Sequence, residues 1–161
     1  MQIRKITNPF IKSESYNCFG CSPRNPLGLK LEFREEGEWI TAVWTPTRDH
    51  EGWHNVLHGG IQTTMLDELG SWVVFVKLGT AGVTSRLEMK FIKPVHIDKG
   101  ELTIKGRIRE TRRNIVIIEA FLYNSSGECC AETLMHYFAF SQEKAREMMM
   151  FPEPEAFYGK E

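Results

Sequence analysis

Residues 50–77 read HEGWHNVLHGGIQTTMLDELGSWVVFVK, and the fold turns on where in that stretch a helix begins. One reading starts it at His50, because His50-Glu51-Gly52-Trp53-His54 matches the HExxH pattern of zinc peptidases. That pattern works only on a helix, where residues four apart share a face and can share a metal. Gly52 costs such a helix about 1 kcal/mol relative to alanine, and Trp53, Asn55 and Val56 are weak formers. No apolar stripe holds it to a core, and Gly59-Gly60 would fray it just after His58, the only third ligand nearby. The other reading leaves 50–58 as a loop and starts the helix near Gly59, running to about Lys77. The surroundings favour the second.

A helix that begins at Gly59 presents unpaired amides and the positive end of its dipole. Gly59 and Gly60 let a ligand approach that backbone with no Cβ in the way, which suits an oxyanion formed when a carbonyl is attacked. By itself, HGG reads equally well as a tight corner. Projection at about 100° per residue adds to the case. Ile61, Met65, Leu69, Trp72 and Val76 form one apolar side. Asp67 lies elsewhere, among Thr63, Thr64, Gly70, Ser71 and Val74, a face with room beside the carboxylate. Glu68 projects between Ile61, Trp72 and Phe75. An acid in a largely apolar helix is costly unless it is paired or used. Asp67 is the first candidate for a catalytic base and Glu68 the second, with ordinary ion pairing as the bland alternative.

Around this helix the chain alternates like strands. Residues 1–26 read as an irregular arm. LKLEF (29–33) has the period of a half-buried strand, Glu35-Glu36-Gly37 is a turn, and WITAVW (39–44) is the hairpin partner. Beyond the helix come TSRLEMKFI (84–92), ELTIKGRIRE (101–110), NIVIIEAFLY (114–123) and CAETLMHYFAF (130–140). Over residues 141–161, SQEKAREMMM reads as a short helix and FPEPEAFYGKE as a loosely ordered tail. No repeat or linker divides residues 1–161. The expectation is one α+β domain, a curved antiparallel sheet of about six strands around one long helix.

Composition sets outer limits. The 161 residues are 42% hydrophobic and 25% charged, with a formal charge of −1, so nothing global favours nucleic acid as a partner. MQIRKITNPFIKSESYN lacks the unbroken apolar stretch of a secretion signal. Ser71–Leu78 is too short to span a bilayer. A cytoplasmic location with reduced cysteines is the expectation. Cys18-Phe19-Gly20-Cys21 has metal-type spacing, but adjacent Cys129 and Cys130 would point to opposite faces of a strand and could not complete a set of four. Pro23, Pro26 and Gly28 stand where a redox motif wants a helix. The cysteines are expected to belong to a structural loop, and no metal is expected.

HGGIQTTMLDE, with Asp67 nine residues after His58, resembles the motif of hotdog-fold acyl-CoA thioesterases of the group related to phenylacetyl-CoA thioesterase, in the 4-hydroxybenzoyl-CoA thioesterase superfamily. CFGCSPRNPLGLKLEF upstream and GVTSRLEMKFIKPV downstream resemble that family too, so the similarity runs from about Cys18 to Phe140. It implies a hotdog fold and hydrolysis of an acyl-CoA to free acid and CoA, with no cofactor beyond the CoA of the substrate. It implies that the Gly59 amide polarises the thioester carbonyl while His58 fixes the loop. Asp67 would activate water or attack directly, and Thr84 stands where some members carry a hydroxyl that orients the water. Ser85 is one step away, and Gly60, Asn55 and Glu68 are candidate substrate contacts. Some members carry an asparagine six residues before the motif histidine; here that position is Gly52, with Asn55 or His54 as substitutes.

Gly59 to Asp67 is eight helical steps, about 12 Å along the axis, while a base must come within about 3 Å of its target. One helix therefore cannot supply both groups to one carbonyl. A homodimer is expected, as the resemblance also implies, with pairing of dimers left open. Trp53, Trp72 and Phe75 are candidates for an acyl pocket or, more simply, core. Arg107, Arg109, Arg112 and Arg113 are candidates for the CoA phosphates or a solvated strand end. The rival functions are an acyl-CoA hydratase or dehydratase on the same fold and a non-catalytic acyl-CoA sensor.

Overall fold

The computed structural model describes residues 2–159. Helix α1 spans Gly59–Leu78, and both ends are capped by their neighbours. His58 is the N-cap, its Nδ1 accepting the Gly60 N–H at 2.8 Å. Gly79 closes the other end at φ 61°, the left-handed conformation that glycine adopts without strain. Residues 50–58 are not helical: a short 3-10 turn at Arg48–His50 is followed by turns and bridges. The zinc-peptidase reading fails with them, since His54 is 93% exposed and paired with Glu51, while His50 packs edge-on against Trp44.

Among the described residues seven antiparallel strands form one sheet: β1 (Ile3–Lys5), β2 (Phe33–Glu36), β3 (Trp39–Trp44), β4 (Gly82–Phe91), β5 (Leu102–Arg112), β6 (Ile115–Tyr123) and β7 (Cys129–Ala139). Their order is β1-β2-β3-β5-β6-β7-β4, so β4, the strand directly after the helix, is an edge. The sheet packs its inner face on α1. Ile104, Ile118, Leu122 and Met135 are fully buried, as are Met65, Leu66, Leu69 and Val73 of the helix. Of the apolar side foreseen for α1, Met65, Leu69 and Trp72 are buried and Ile61 and Val76 are partly so. Helix α2 (Gln142–Met149) follows the sheet, with Ser141 accepting the Lys144 N–H at 3.2 Å.

Three local expectations are corrected. The arm contributes a seventh strand, because β1 pairs with β2 in the register Ile3 with Glu36. LKLEF joins the ladder only at Phe33. Leu29 and Leu31 are buried and Lys30 and Glu32 exposed, as the alternation requires. The Leu29 and Leu31 amides, however, donate to Phe19 and Gly20 carbonyls of the arm, and Lys30 sits at φ 54°. Residues 151–159 are packed, not loose. Phe151 and Phe157 are buried in an aromatic cluster with Phe10, Trp72 and Phe75, and the Phe157 carbonyl accepts the Thr7 N–H at 2.7 Å. Two buried aromatics, Phe151 and Phe157, outweigh the polar composition of that tail. Lys160 and Glu161 lie outside the described residues.

Glu35 ties these parts together. It pairs with Lys77 at the end of α1 and accepts the Tyr158 hydroxyl at 2.9 Å. Burial pushes its carboxyl up, but the hydrogen bonds from Lys77 and Tyr158 and the charges of Lys77 and Arg4 outweigh that and leave it below its ordinary value.

Candidate active site

Asp67 stands near the middle of α1 on the side facing β4. Its Oδ1 accepts the Thr84 hydroxyl at 2.7 Å, and both residues are half-buried. Thr84 reaches it because β4 begins at Gly82, which lies almost against β7: an added Cβ there would fall 1.9 Å from the Phe138 carbonyl oxygen. The register shifts between Thr84 and Arg86, and across that irregularity the Ser85 hydroxyl turns away to the His136 carbonyl at 2.9 Å. Tyr137 donates to the Gly82 carbonyl at 2.9 Å, and burial foremost pushes its phenol up to about 12. A neutral hydroxyl thus borders the carboxylate.

At the other end of α1, the Ile61 and Gln62 amides donate to the His58 carbonyl, and the Gly60 amide to the His58 ring. The Gly59 N–H is left without an acceptor among the described residues. It opens onto a cavity of about 750 Å³ lined in part by Trp53, His58, Gly59, Gln62 and Phe91. Gln62 is 4% exposed; its Nε2 donates to the Leu57 carbonyl at 3.1 Å, and its Oε1 has no donor among the described residues. A helix end thus offers one free amide, sharper than the pair of glycines suggested by HGG.

The remaining candidates are placed elsewhere. Asn55, at φ 59°, exchanges hydrogen bonds with Asp98 at 3.0 and 3.1 Å and pins the loop to residues 96–98. Glu68 faces the arm, accepting from Trp72 Nε1 at 3.1 Å and Cys18 Sγ at 3.4 Å. Trp72 and Phe75 belong to the aromatic core, whereas Trp53 is 86% exposed on the cavity wall. Arg107 is engaged by Glu38 and by Glu119 at 2.7 Å, and Arg112 by Glu110. Arg109 and Arg113 are exposed. Residues able to hold a metal converge at one place among those described, Cys18, Cys21 and Glu68. Sequence spacing could not reveal that group, because Glu68 lies fifty residues from Cys18.

A long helix wrapped by an antiparallel sheet is the hotdog fold, and solved structures of that architecture superpose on this chain. A Haemophilus influenzae thioesterase does so with a TM-score of 0.63 at 20% identity, over 71% of this chain and 80% of that one. A hypothetical thioesterase of Streptococcus pneumoniae, solved with coenzyme A, gives 0.63 at 21% over 70% and 87%. The same protein has been solved with an aspartate or a threonine replaced by alanine. The E. coli PaaI protein from the phenylacetic acid degradation operon gives 0.62 at 19% over 70% and 81%.

Residues 54–131, from the loop to the start of β7, match the thioesterase superfamily. An uncharacterized Schizosaccharomyces pombe protein is 36% identical over 61 residues. That match spans 37% of this chain and about a third, 35%, of the yeast protein's length. No helix among the described residues is long and apolar enough to cross a membrane.

Proposed function

We propose that the protein hydrolyses an acyl-CoA thioester to a carboxylic acid and free CoA, at a site shared between two copies of the chain. The observation that carries this reading is the division of labour along α1. An oriented carboxylate sits at Asp67 and a free amide at Gly59, about 12 Å apart along the axis.

β4 suggests how two copies would combine them. Its Thr84 end carries Asp67. Its other end carries Gly59, since the Phe91 ring lies 3.3 Å from the position of a Gly59 Cβ. β4 is also a ten-residue edge with Val83 and Phe91 about half exposed, the kind of edge that a second strand covers. Antiparallel pairing of β4 with its copy across a twofold axis sets the Thr84 end of one chain opposite the Phe91 end of the other. Asp67 of one chain then faces Gly59 of its mate, twice per dimer.

In that arrangement Thr84 holds one oxygen of Asp67 and leaves the other for water. Asp67 takes a proton as the water attacks the thioester carbon. The carbonyl oxygen gathers charge against the Gly59 amide of the other copy, and the C–S bond breaks to release the CoA thiolate. No metal is required at the scissile bond. The CoA-bound S. pneumoniae structure and a Streptococcus mutans protein solved with acetyl CoA support a CoA ester as the substrate class.

The test is release of free CoA from a panel of short, long and aromatic acyl-CoAs. Hydrolysis of at least one ester, slowed at least about a hundredfold in Asp67→Asn, is expected. Tight binding with no turnover would favour a sensor instead, and addition or loss of water across the acyl chain with the thioester intact would favour a hydratase.

A further inference from the structure

The group formed by Cys18, Cys21 and Glu68 takes no part in that chemistry, yet three independent features build it. The CFGC turn is stapled at both ends: the Ser22 amide donates to the Cys18 carbonyl at 3.0 Å, and the Leu29 and Leu31 amides donate to Phe19 and Gly20 at 2.8 and 2.9 Å. Glu68 reaches into the turn from α1. A Cβ on Gly20 would lie 2.6 Å from the Glu68 carboxyl carbon, so this position must be glycine for the acid to sit there. The two sulfurs and one carboxylate oxygen all fall within 4.8 Å of one another, with Cys18 Sγ 3.4 Å from Glu68 Oε1. Donors around one tetrahedral zinc, with bonds of about 2.3 Å to sulfur and 2.0 Å to oxygen, stand roughly 3.5–3.8 Å apart.

The surroundings match the second shell of a metal site. Trp72 Nε1 donates to Glu68 Oε1 at 3.1 Å and fixes the carboxylate. The Tyr16 hydroxyl lies 2.5 Å from Cys21 Sγ, and Asn8 holds the loop through the Cys21 carbonyl at 3.2 Å. Such partners orient ligands and stabilise thiolate charge. Cationic charge is what the group lacks: among the described residues no lysine, arginine or histidine pairs with Glu68. Cys129 and Cys130 lie apart from it.

We propose that Cys18, Cys21 and Glu68 bind a thiophilic divalent cation of the zinc class, which ties the N-terminal arm to α1 one residue along from Asp67. Binding displaces the two thiol protons to solvent and leaves two thiolates and a carboxylate on the ion, with water as a fourth ligand on the half-exposed Cys18 side. A Cys18–Cys21 disulfide is the competing use of the same thiols, but it gives Glu68 nothing to do.

The test is cobalt titration of the reduced, chelator-treated full chain. About one equivalent of Co²⁺ per chain should produce thiolate charge-transfer absorption in the near ultraviolet with tetrahedral bands in the visible, and zinc should bleach both. Cys18→Ser and Cys21→Ser should each lose most of the charge-transfer signal, while Cys129→Ser keeps it. Glu68→Gln, which preserves shape and leaves both thiols, should bind cobalt at least about tenfold more weakly. Full-strength cobalt binding by Glu68→Gln would overturn the site, as would the absence of a charge-transfer band in the fully reduced wild-type chain. A Cys18–Cys21 disulfide in freshly purified protein, with no cobalt signal after its reduction, would assign the pair to redox chemistry.

Discussion

Replacing Thr84 by valine removes one hydroxyl and keeps the branched shape that suits a strand. In the native chain that hydroxyl donates to Asp67 Oδ1 at 2.7 Å. A hydrogen bond to a charged group contributes about 1.5–3 kcal/mol. Both partners are only half-buried, so water can replace part of the loss and the lower half of that range, about 1.5–2 kcal/mol, applies. Expressed as transition-state stabilisation, this is roughly a 10- to 30-fold fall in kcat/KM. Thr84 orients the base and does not hold the acyl chain, so the fall should appear in kcat with KM within about twofold. Thr84→Ser should recover most of it. The assay is the initial rate of CoA release, read with a thiol reagent, for the single variants and for Thr84→Val combined with Asp67→Asn. If Thr84 acts through Asp67, the double variant should be no slower than Asp67→Asn alone. An unchanged kcat in Thr84→Val, or losses that multiply in the double variant, would refute the reasoning.

Other outcomes follow from single contacts. Gly82→Ala drives a methyl onto the Phe138 carbonyl, 1.9 Å away, and should destabilise the chain by about 3 kcal/mol or more in urea unfolding; a loss below about 1 kcal/mol would mean β4 moves freely from β7. His58→Ala removes the N-cap seen at 2.8 Å and should cost about 1 kcal/mol, with His58→Asn recovering most of it. Glu35 has its carboxyl held below its ordinary value, so its contribution is complete above the unfolded value near 4.5 and is lost as pH falls through the folded one. Glu35→Gln should therefore be less stable than wild type at neutral pH, and the gap should narrow as pH falls below about 4.5; a gap independent of pH would show that the charge on Glu35 is irrelevant.

How much of this was written in the sequence depends on whether a feature is local. The start of α1 at Gly59 and the spans of β3 and β6 were legible, because caps, turns and alternation act over a few residues. The family resemblance singled out Asp67 and, as a hydroxyl orienting the water, Thr84, but the hydrogen bond between the two was not legible, since no period links a helix residue to a strand residue seventeen positions on. LKLEF misled because burial alternates there without a ladder: the carbonyl of Leu29 goes to Trp44 Nε1 at 2.9 Å, and its amide goes to the arm. The tail misled because Phe151 and Phe157 lie among prolines and glutamates, yet meet Phe10 and Phe75 only in three dimensions. The Cys18–Cys21–Glu68 group was hidden for the same reason. Half of it lay in an arm that looked irregular, and the other half in an acid that looked like a spare base.

The shared site is tested most directly by mixing two inactive chains. Gly59→Pro deletes the free amide at the first helical position, where proline is well tolerated, and Asp67→Ala deletes the carboxylate. In a heterodimer of the two, one site regains both groups and the other loses both. A statistical mixture of equal parts should then recover about a quarter of wild-type activity, half the dimers being mixed and each carrying one intact site of two. Heterodimers verified by two affinity tags and still as inactive as their parents would contradict the account.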